Sequence, residues 1–346
     1  MAVTPHPAPR EASGLVGITR LAAESPELRS RAEVKYFALP ARSALNRESS
    51  GRMPFAWTIN PYRGCEFGCK YCYARYTHEF MEMWDGGDFE RKIYAKVSAP
   101  ELLRAELRKA RDRGLPIALG TATDPYQPAE KQFEITRRML EVFADFEGLD
   151  FSITTKSVLI LRDLDLLRAV SRRHRFSVHM TVTTTDERLA RRLEPKAPPP
   201  AKRLEAIAAL ARASIQVGVN LMPILPGITD SPRSLDAVAR SAAEAGARFL
   251  YGNLLFLMPS AMRQFMPFLE REFLRLVKRY RRLYARSAYL NGEYKEQIMR
   301  FVADLRVRYG LDGKRQELPP GVRYEQFALP LTNVTVQTST PKAVCL

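Results

Sequence analysis

Three cysteines lie close together in the chain and form its most chemically reactive group. Their spacing is C-x3-C-x2-C, in the segment Asn60-Pro-Tyr-Arg-Gly-Cys65-Glu-Phe-Gly-Cys69-Lys-Tyr-Cys72. Three thiolates at this spacing can bind three corners of an iron–sulfur cube, and Gly64 and Gly68 allow the backbone to curl around it. The other cysteine of the chain is Cys345, next to the C-terminus. The fourth iron would then have no protein ligand and would be open to a small molecule.

Zinc is the alternative metal for the same three thiolates. His78 follows Cys72 at a distance that allows a Cys3His zinc site together with Cys65 and Cys69. A disulfide framework is a poorer explanation, because its cysteines are usually spread along the chain. The spacing by itself therefore allows an iron–sulfur cluster or a zinc ion, and the zinc alternative corresponds to a non-catalytic nucleic-acid-interaction protein.

The chain around this motif alternates between short apolar runs and helical patterns. Six strands are predicted, at Phe55–Asn60, Pro116–Thr121, Phe151–Thr155, Phe176–Thr184, Ile215–Pro223 and Arg248–Phe256. Strands that alternate with helices form a parallel sheet, so the predicted fold class is α/β. Six units favour a partial (β/α)6 barrel, open on one side, and a doubly wound sheet is the competing architecture. Both place ligands at the carboxyl ends of the strands.

The helical patterns divide the chain into three regions. Helices are predicted at Glu130–Phe146, Ile160–Arg172, Arg203–Ala213 and Pro232–Ala245, and two long ones at Ala261–Ala285 and Tyr289–Tyr309. Ser98 and Ser231 are predicted N-caps, because each precedes a proline in the first helical turn. We expect a disordered tail and an N-terminal extension over residues 1–52, the barrel over 53–260, and a basic helical region with an irregular tail over 261–346.

The aromatic residue before the last cysteine sharpens the interpretation of the motif. With Tyr71 at that position, the triplet resembles the signature of the radical SAM superfamily. The segments Asn60–Cys65, Tyr71–Arg75 and Gly120–Pro128 resemble the branch of that superfamily related to spore photoproduct lyase, over about residues 40–260. The resemblance implies a partial (β/α)6 barrel with a [4Fe–4S] cluster on the three cysteines. It also implies S-adenosylmethionine (SAM) as cofactor, cleaved reductively to a 5′-deoxyadenosyl radical that abstracts hydrogen from a substrate.

The resemblance also indicates which residues contact the methionine part of SAM. The family binds the amino group at the end of the second strand, often with Gly-Gly-Glu, where this chain has Gly120-Thr-Ala-Thr-Asp124. Thr123 and Asp124 can still accept hydrogen bonds from an ammonium group. Lys156, at the end of the third strand, is expected to pair with the carboxylate.

Three further residues are expected at the adenosine part of SAM. Tyr71 corresponds to the aromatic residue that packs near the adenine. Thr181, on the fourth strand, is a predicted contact of the ribose or the carboxylate. Val219 stands where a residue of the fifth strand typically touches the adenine.

The chain departs from true spore photoproduct lyases at the hydrogen-atom donor. Those enzymes carry a cysteine near the end of the second strand, where this chain has Thr121 and Thr123. Tyr126 is the candidate donor, by its proximity in the sequence. The lyase reaction itself therefore does not follow from the resemblance.

Charge and hydropathy indicate the partners. The net charge is +16, and residues 270–315 contain thirteen Lys and Arg against six Asp and Glu. Such an excess favours nucleic acid as a substrate, with a protein or a small molecule as the alternative. Reductive cleavage also requires an electron donor, of the flavodoxin or ferredoxin type. Without an apolar run of about 18 residues or a secretory signal, we expect a cytoplasmic protein that does not enter a membrane.

Overall fold

The structure is a computed structural model that describes residues 15–49, 51, 53–109 and 115–313. The predicted tails over 1–14 and 316–346, which include Cys345, lie outside the described residues. In the part that is described, no helix is both long enough and apolar enough to cross a membrane.

Eleven strands and thirteen α-helices are present in the described residues. The strands are β1 Glu27–Arg31, β2 Val34–Ala38, β3 Asn46–Arg47, β4 Trp57–Ile59, β5 Tyr62–Arg63, β6 Lys92–Ala95, β7 Ile117–Leu119, β8 Asp150–Thr155, β9 Arg175–Thr181, β10 Val217–Ile224 and β11 Leu250–Leu254. The helices are α1 Gly17–Ala23, α2 Tyr76–Glu79, α3 Asp88–Arg91, α4 Ala99–Lys109, α5 Glu130–Phe133, α6 Ile135–Ala144, α7 Leu164–Arg173, α8 Glu187–Leu193, α9 Pro200–Arg212, α10 Pro232–Glu244, α11 Pro259–Glu272, α12 Val277–Leu283 and α13 Glu293–Arg308.

The main sheet contains the six predicted strands. Its order is β11-β10-β9-β8-β7-β4-β3, and every neighbouring pair from β4 to β11 is parallel. Only β3 runs antiparallel, beside β4. A row of six parallel strands with intervening helices is a partial (β/α)6 barrel, so the predicted fold class is confirmed.

A second, four-stranded sheet joins the N-terminal extension to the barrel. Its order is β1-β2-β6-β5. Strand β2 pairs in parallel with β6, which lies beyond the cysteine motif in sequence, and β5 pairs with the other edge of β6. The extension is thereby hydrogen-bonded to β6, which in turn pairs with β5, just before the first cysteine. The short apolar runs of the sequence did not indicate this second sheet.

Four predicted helices have different limits in the structure. The helix predicted over 160–172 begins as a 3-10 helix over Val158–Asp163 and is α-helical only from Leu164. The helix over 130–146 is interrupted at Glu134, which has a φ of +48°. This break lets the buried Glu130 carboxylate accept hydrogen bonds from the backbone N–H groups of Thr136 and Arg137. The helix over 261–285 is also interrupted after Glu272 by a short 3-10 turn, and the last predicted helix begins at Glu293 rather than at 289.

The strands of the main sheet present two different faces. On β9, Phe176 and Val178 are completely buried on the face that packs against helices, whereas Ser177 and His179 alternate with them and are half-buried. The Nδ1 atom of His179 lies 3.3 Å from the side-chain Oδ1 of Asn220 on β10, so these polar residues share one face. Because Phe151, the β8 neighbour of Phe176, stacks on Phe143 of α6, the helices pack on the other face, and we call the polar face the interior face of the barrel.

Candidate active site at the carboxyl ends of the strands

The three cysteines lie on a tightly curled loop after β4. Cys65 and Cys69 are buried and Cys72 is half-buried. Gly64, just before the first cysteine, has a φ of +83°, and a Cβ atom there would lie 2.8 Å from the carbonyl oxygen of Lys92. The loop can therefore approach β6 this closely only with glycine at position 64.

Two polar residues from the loop after β7 hold the cysteine loop in place. The hydroxyl of Thr123 and the side-chain amide of Gln127 both donate to the carbonyl oxygen of Gly64, at 2.6 and 3.1 Å. The Oε1 atom of Gln127 accepts from the backbone N–H of Glu66 at 3.0 Å. These hydrogen bonds join the two segments that resemble the lyase branch. The segment Gly120–Pro128 supports the loop that carries the cysteines.

The environment of the thiols favours metal ligation over free ionisation. Burial raises the pKa of Cys65 well above its ordinary value, and the nearby Asp124 raises it further. Burial also raises the pKa of Cys69 to about 12, against a smaller opposing effect of the Lys156 ammonium group. Thiols of this kind become thiolates when a metal supplies the compensating charge.

The donor set fits a cluster better than a zinc ion. The Nε2 atom of His78 lies 3.0 Å from the carbonyl oxygen of Lys92, and its ring packs against Phe89 and Tyr94. Among the described residues, no three His, Cys, Asp or Glu side chains are arranged around one metal ion. Zinc needs its ligand atoms within about 2.3 Å of a single point, whereas a cube binds each thiolate at a separate iron. The predicted Cys3His site is therefore not formed.

Lys156 and Tyr71 belong to a buried ionic network beside Cys69. The Nζ atom of Lys156 lies 5.9 Å from the centre of the Tyr71 ring. The phenol of Tyr71 donates to the Glu194 carboxylate, which also forms a buried ion pair with Arg203. Burial alone would lower the pKa of Lys156, but Cys69 and Glu194 outweigh it and raise this pKa. The lysine therefore stays a cation next to the cysteine loop, and its pairing with the methionine carboxylate stays a prediction.

Asp124 connects the ends of β7 and β8. Its Oδ1 accepts from the hydroxyl of Thr155 at 2.7 Å and from the backbone N–H of Tyr126 at 2.9 Å. Its Oδ2 accepts from the backbone N–H of Lys156 at 2.7 Å. Asp124 therefore does not cap α5, which begins at Glu130, and it orients the backbone at Lys156. Direct contacts of Thr123 and Asp124 with the methionine amino group stay a prediction.

Thr181 and Val219, two of the three residues predicted at the adenosine, differ in placement. Thr181 pairs with Asn220 in the register of β9 and β10, which places both on the interior face. Val219 is completely buried on the opposite face, in the hydrophobic core. The prediction for Val219 is therefore wrong by one position, because successive residues of a strand point to opposite faces. Asn220 is the residue of β10 that faces the interior.

The structure separates the candidate donor Tyr126 from the barrel interior. Tyr126 is completely buried, and burial together with the carboxylates of Asp163 and Glu130 raises the pKa of its phenol well above the ordinary value. These carboxylates lie on the helical side of the sheet. Tyr73, which follows the last cysteine, instead donates its phenol to the backbone carbonyl of Thr121 at the end of β7. Tyr73 is therefore the tyrosine at the barrel mouth.

Four residues of the site were not predicted: Gln127, Glu194, Arg203 and Asn220. Asn220 carries a detectable signal, since it is the polar residue of an apolar strand, Val217-Gly-Val-Asn-Leu221. Gln127 lies inside the segment Gly120–Pro128, but its partner on the cysteine loop is 63 residues away. Glu194 and Arg203 follow helical patterns that are typical of exposed charged residues, and only burial reveals their role.

The barrel, the buried thiol triplet after its first strand and the adjacent lysine define an iron–sulfur enzyme of the SAM-dependent type. The model of the Radical SAM superfamily matches residues 59–237. The chain therefore belongs to the radical SAM superfamily, whose chemistry uses S-adenosylmethionine and an iron–sulfur cluster. This assignment replaces the non-catalytic zinc-binding alternative.

Several known proteins are similar to this chain. An uncharacterized protein of Mycobacterium tuberculosis is 36% identical over 288 residues, which cover 83% of this chain and 84% of that protein. An uncharacterized protein of Methanocaldococcus jannaschii is 30% identical over 218 residues, which cover 63% of this chain and 76% of that protein. Spore photoproduct lyase complexed with dinucleoside spore photoproduct has a TM-score of 0.58 at 13% identity, covering 89% of this chain and 85% of that chain. The predicted likeness to spore photoproduct lyase is therefore confirmed for the fold.

Proposed function

We propose that the chain binds a [4Fe–4S] cluster on Cys65, Cys69 and Cys72 and cleaves SAM reductively to abstract hydrogen from a nucleobase. The observation that carries the first part is the buried thiol triplet on a glycine-dependent loop beside the fixed cation of Lys156. When bound, the cluster supplies the electron for cleavage of SAM. The protein residues position the cofactors and exclude water.

Lys156 and Thr181 are the residues that we propose to orient SAM. Lys156 offers a positive charge to the methionine carboxylate, and the Glu194 carboxylate favours that charge electrostatically. Thr181 faces the interior with Asn220 beside it. A donor and an acceptor from neighbouring strands therefore lie where a ribose or an adenine would meet the barrel wall.

An aromatic group at the barrel mouth supports a nucleobase as substrate. Tyr73 packs against Tyr76 and Phe256 at 6.4 and 6.1 Å between ring centres, and Phe256 stacks on Tyr289 at 4.2 Å. Tyr73 is 40% exposed and Tyr289 47% exposed, although both belong to this packed group. Exposed aromatic rings in a row provide stacking surfaces for unpaired bases. The group lies next to Thr121, at the end of a strand that leads to the cofactor site.

Exposed cations precede Tyr289 of the aromatic group in the chain. Arg282 and Arg286 are exposed on α12 and the loop that leads to Tyr289, and they have no ion-pair partner among the described residues. The hydroxyl of Tyr284 donates to the carbonyl oxygen of Leu255, which anchors this region near the carboxyl end of β11. Positive charge beside a stacking surface suits a phosphate backbone with a displaced base. The structural relative complexed with dinucleoside spore photoproduct supports the same substrate class.

The cofactor part of the proposal is tested by anaerobic reconstitution with iron and sulfide. We expect about four irons per chain and formation of 5′-deoxyadenosine from SAM with dithionite as reductant. Cys72→Ala should lose both iron and product, whereas Cys345→Ala should keep both. A colourless protein that binds zinc and forms no 5′-deoxyadenosine would contradict the proposal.

The substrate part is tested by fluorescence anisotropy with single-stranded DNA, duplex DNA and RNA. Binding should weaken steeply as salt rises, because phosphate contacts release counterions. The double variant Arg282→Glu/Arg286→Glu should bind about tenfold more weakly, and Arg212→Glu/Arg240→Glu, on α9 and α10, should not. If none of the three nucleic acids binds at low salt, the substrate is of another class.

A further inference from the structure

We propose that Arg63 and Lys96 together bind a phosphate group next to the aromatic group at the barrel mouth. Arg63 ends β5 and precedes Gly64 at the start of the cysteine loop, and Lys96 directly follows β6. Neither residue belongs to the proposed contacts of SAM or of the cluster. This inference rests on the proposed function, because it assigns the phosphate to a nucleotide that places its base on the aromatic rings.

The pairing of β5 with β6 brings the two cations to one face of the small sheet. Arg63 lies opposite Tyr94 in this antiparallel pair. The backbone N–H of Lys96 donates to the carbonyl oxygen of Pro61 at 3.0 Å, which continues the ladder one residue beyond β6. Because successive residues of a strand alternate between faces, Lys96 shares its face with Tyr94 and Arg63. The opposite face carries Tyr62, which is completely buried in the core.

Neither cation has a carboxylate partner in the part of the chain that the structure describes. Lys96 is only 9% exposed, and its ammonium group forms no hydrogen bond or ion pair with the described residues. Arg63 is half-buried; its Nη1 atom donates to the carbonyl oxygen of Thr77 at 3.3 Å, and its buried Nε atom has no hydrogen-bond partner.

The two positive charges also act on each other. Burial and the neighbouring Arg63 lower the pKa of Lys96 to about 8, so this lysine is still mostly charged at neutral pH. Burial likewise lowers the pKa of Arg63, and no carboxylate opposes that effect. Neighbouring cations with little access to water and without a counterion are unfavourable unless a ligand supplies negative charge. The pair therefore indicates a binding site for an anion.

The chemistry of the pair favours a phosphate group as this anion. A guanidinium donates from a fixed planar fork, and an ammonium group acts as a compact point charge, so the two together match the several oxygens of a phosphate. Structural cations of this region are neutralised by the protein itself. Arg75, for example, is buried after the cysteine loop and pairs with Glu90 at 2.6 Å. Arg63 and Lys96 are arranged differently, with two donors and no acceptor.

The position of the pair favours a nucleotide as the carrier of the phosphate. Burial raises the pKa of the Tyr76 phenol, and the positive charge of Arg63 opposes this effect, which places the guanidinium close to the phenol. Tyr76 packs against Tyr73 at 6.4 Å between ring centres and against the exposed Phe80 at 5.4 Å. A phosphate at Arg63 would therefore leave its base within reach of rings on which unpaired bases can stack.

The test compares Lys96→Met and Arg63→Gln with wild type and with the control Lys202→Met, on the exposed side of α9. Binding of a short single-stranded oligonucleotide is followed by fluorescence anisotropy over a range of salt concentrations. A series of oligonucleotides, each with one phosphate replaced by a neutral methylphosphonate, locates the phosphate that the pair contacts. Deoxynucleoside monophosphates and inorganic phosphate, used as competitors, distinguish a strand from a free nucleotide as the source of the phosphate. Denaturant titration of the ligand-free proteins measures stability.

We expect Lys96→Met to bind the oligonucleotide about tenfold more weakly at low salt, with the slope of log affinity against log salt reduced by about 0.7. Arg63→Gln should change binding in the same direction, and Lys202→Met should not. One methylphosphonate should weaken binding to wild type by a similar factor and cause no further loss in Lys96→Met. Ligand-free Lys96→Met should be at least as stable as wild type, because it lacks a buried charge without a counterion.

Wild-type affinity in both Lys96→Met and Arg63→Gln would overturn the inference while leaving the proposed function intact. A less stable Lys96→Met that shows the same methylphosphonate pattern as wild type would also overturn it, because the lysine would then only support the fold. If mononucleotides compete as well as the strand in wild type and fail to bind Lys96→Met, the phosphate site stands with a free nucleotide as its ligand. A wild-type protein that binds neither strand nor mononucleotide would contradict the proposed substrate class and this inference together.

Discussion

The two halves of the barrel differ in how deeply their polar side chains are buried. In the cofactor half, which comprises β4, β7, β8 and the loops after them, Asp124 and Thr123 are buried: Asp124 accepts three hydrogen bonds and Thr123 takes part in two. In the open half, which comprises β9, β10 and β11, Ser177, His179 and Asn220 also contact one another but are only half-buried along the interior face. The first half is organised before any ligand arrives, and the second remains accessible to a ligand.

The proposed function accounts for this difference. Cluster ligands must be held within a narrow geometry, so their support is rigid and satisfied internally. A substrate enters and leaves, so its contacts must be exchangeable with water. The following four changes test the contrast, and they are ordered from the largest expected effect to the smallest.

Gly64→Ala should have the largest effect, because it acts on the support of the cysteine loop. The added Cβ would meet the carbonyl oxygens of Lys92 and Phe89 at 2.8 and 2.9 Å, in a backbone with a φ of +83°. We expect loss of most of the bound iron after reconstitution. Gly292→Ala is the matched control, since its φ is +78° and nothing lies within 4 Å of its added Cβ. Normal iron content in Gly64→Ala would show that the loop is not as tightly constrained as its contacts indicate.

Lys156→Met should weaken the binding of SAM while the iron stays bound. The variant removes the cation beside Tyr71 and Cys69, and a charge-assisted hydrogen bond of this kind corresponds to about tenfold in affinity. Equilibrium dialysis of SAM with reconstituted protein provides the measurement. Lys202→Met, on the exposed side of α9, serves as control. Unchanged affinity in Lys156→Met would remove this lysine from the set of SAM contacts.

Val219→Ala and Asn220→Ala should affect different properties, although the residues are adjacent. Val219 is completely buried in the core, so its truncation should lower the free energy of unfolding by about 2 kcal/mol. Asn220 faces the interior, so Asn220→Ala should leave stability nearly unchanged and weaken ligand binding about fivefold. Denaturant titration and SAM or oligonucleotide binding separate the two. If Val219→Ala weakened binding more than Asn220→Ala, the assignment of the faces would be reversed.

The smallest effect is a pH dependence of stability from one histidine in each half. Burial lowers the pKa of His78 to about 4 and that of His179 to about 4, from the ordinary value of 6.5. The folded state therefore binds fewer protons than the unfolded state between these values, and the free energy of unfolding falls as the pH drops from about 6.5 to about 4. His78→Gln should reduce this slope by up to about 1.4 kcal/mol per pH unit, measured by denaturant titration at pH 7, 6 and 5. An identical slope in the variant would mean that His78 titrates normally.

Part of this molecule was predictable from local patterns. The six parallel strands follow from apolar runs between helical patterns, and the N-cap at Ser231 follows from the proline after it, with Ser231 Oγ accepting from the backbone N–H of Ser234. The helix over 130–146 was predicted without its break, because the break depends on the buried Glu130. The residue that faces the interior of β10 was missed by one position, because a buried strand with apolar residues on both faces shows little alternation.

The sequence by itself determined the barrel and the superfamily, and it predicts the three cluster ligands, because the spacing of residues within a short segment does not depend on the rest of the fold. The tertiary structure decided which side chains support that loop and which face the interior. Gln127 meets Gly64 and Arg203 meets Glu194 only after the strands are assembled, and burial then turns ordinary charged residues into a fixed network. Burial also separated Tyr126 from the mouth and placed Tyr73 there. Contacts between distant segments depend on packing, which local sequence patterns do not encode.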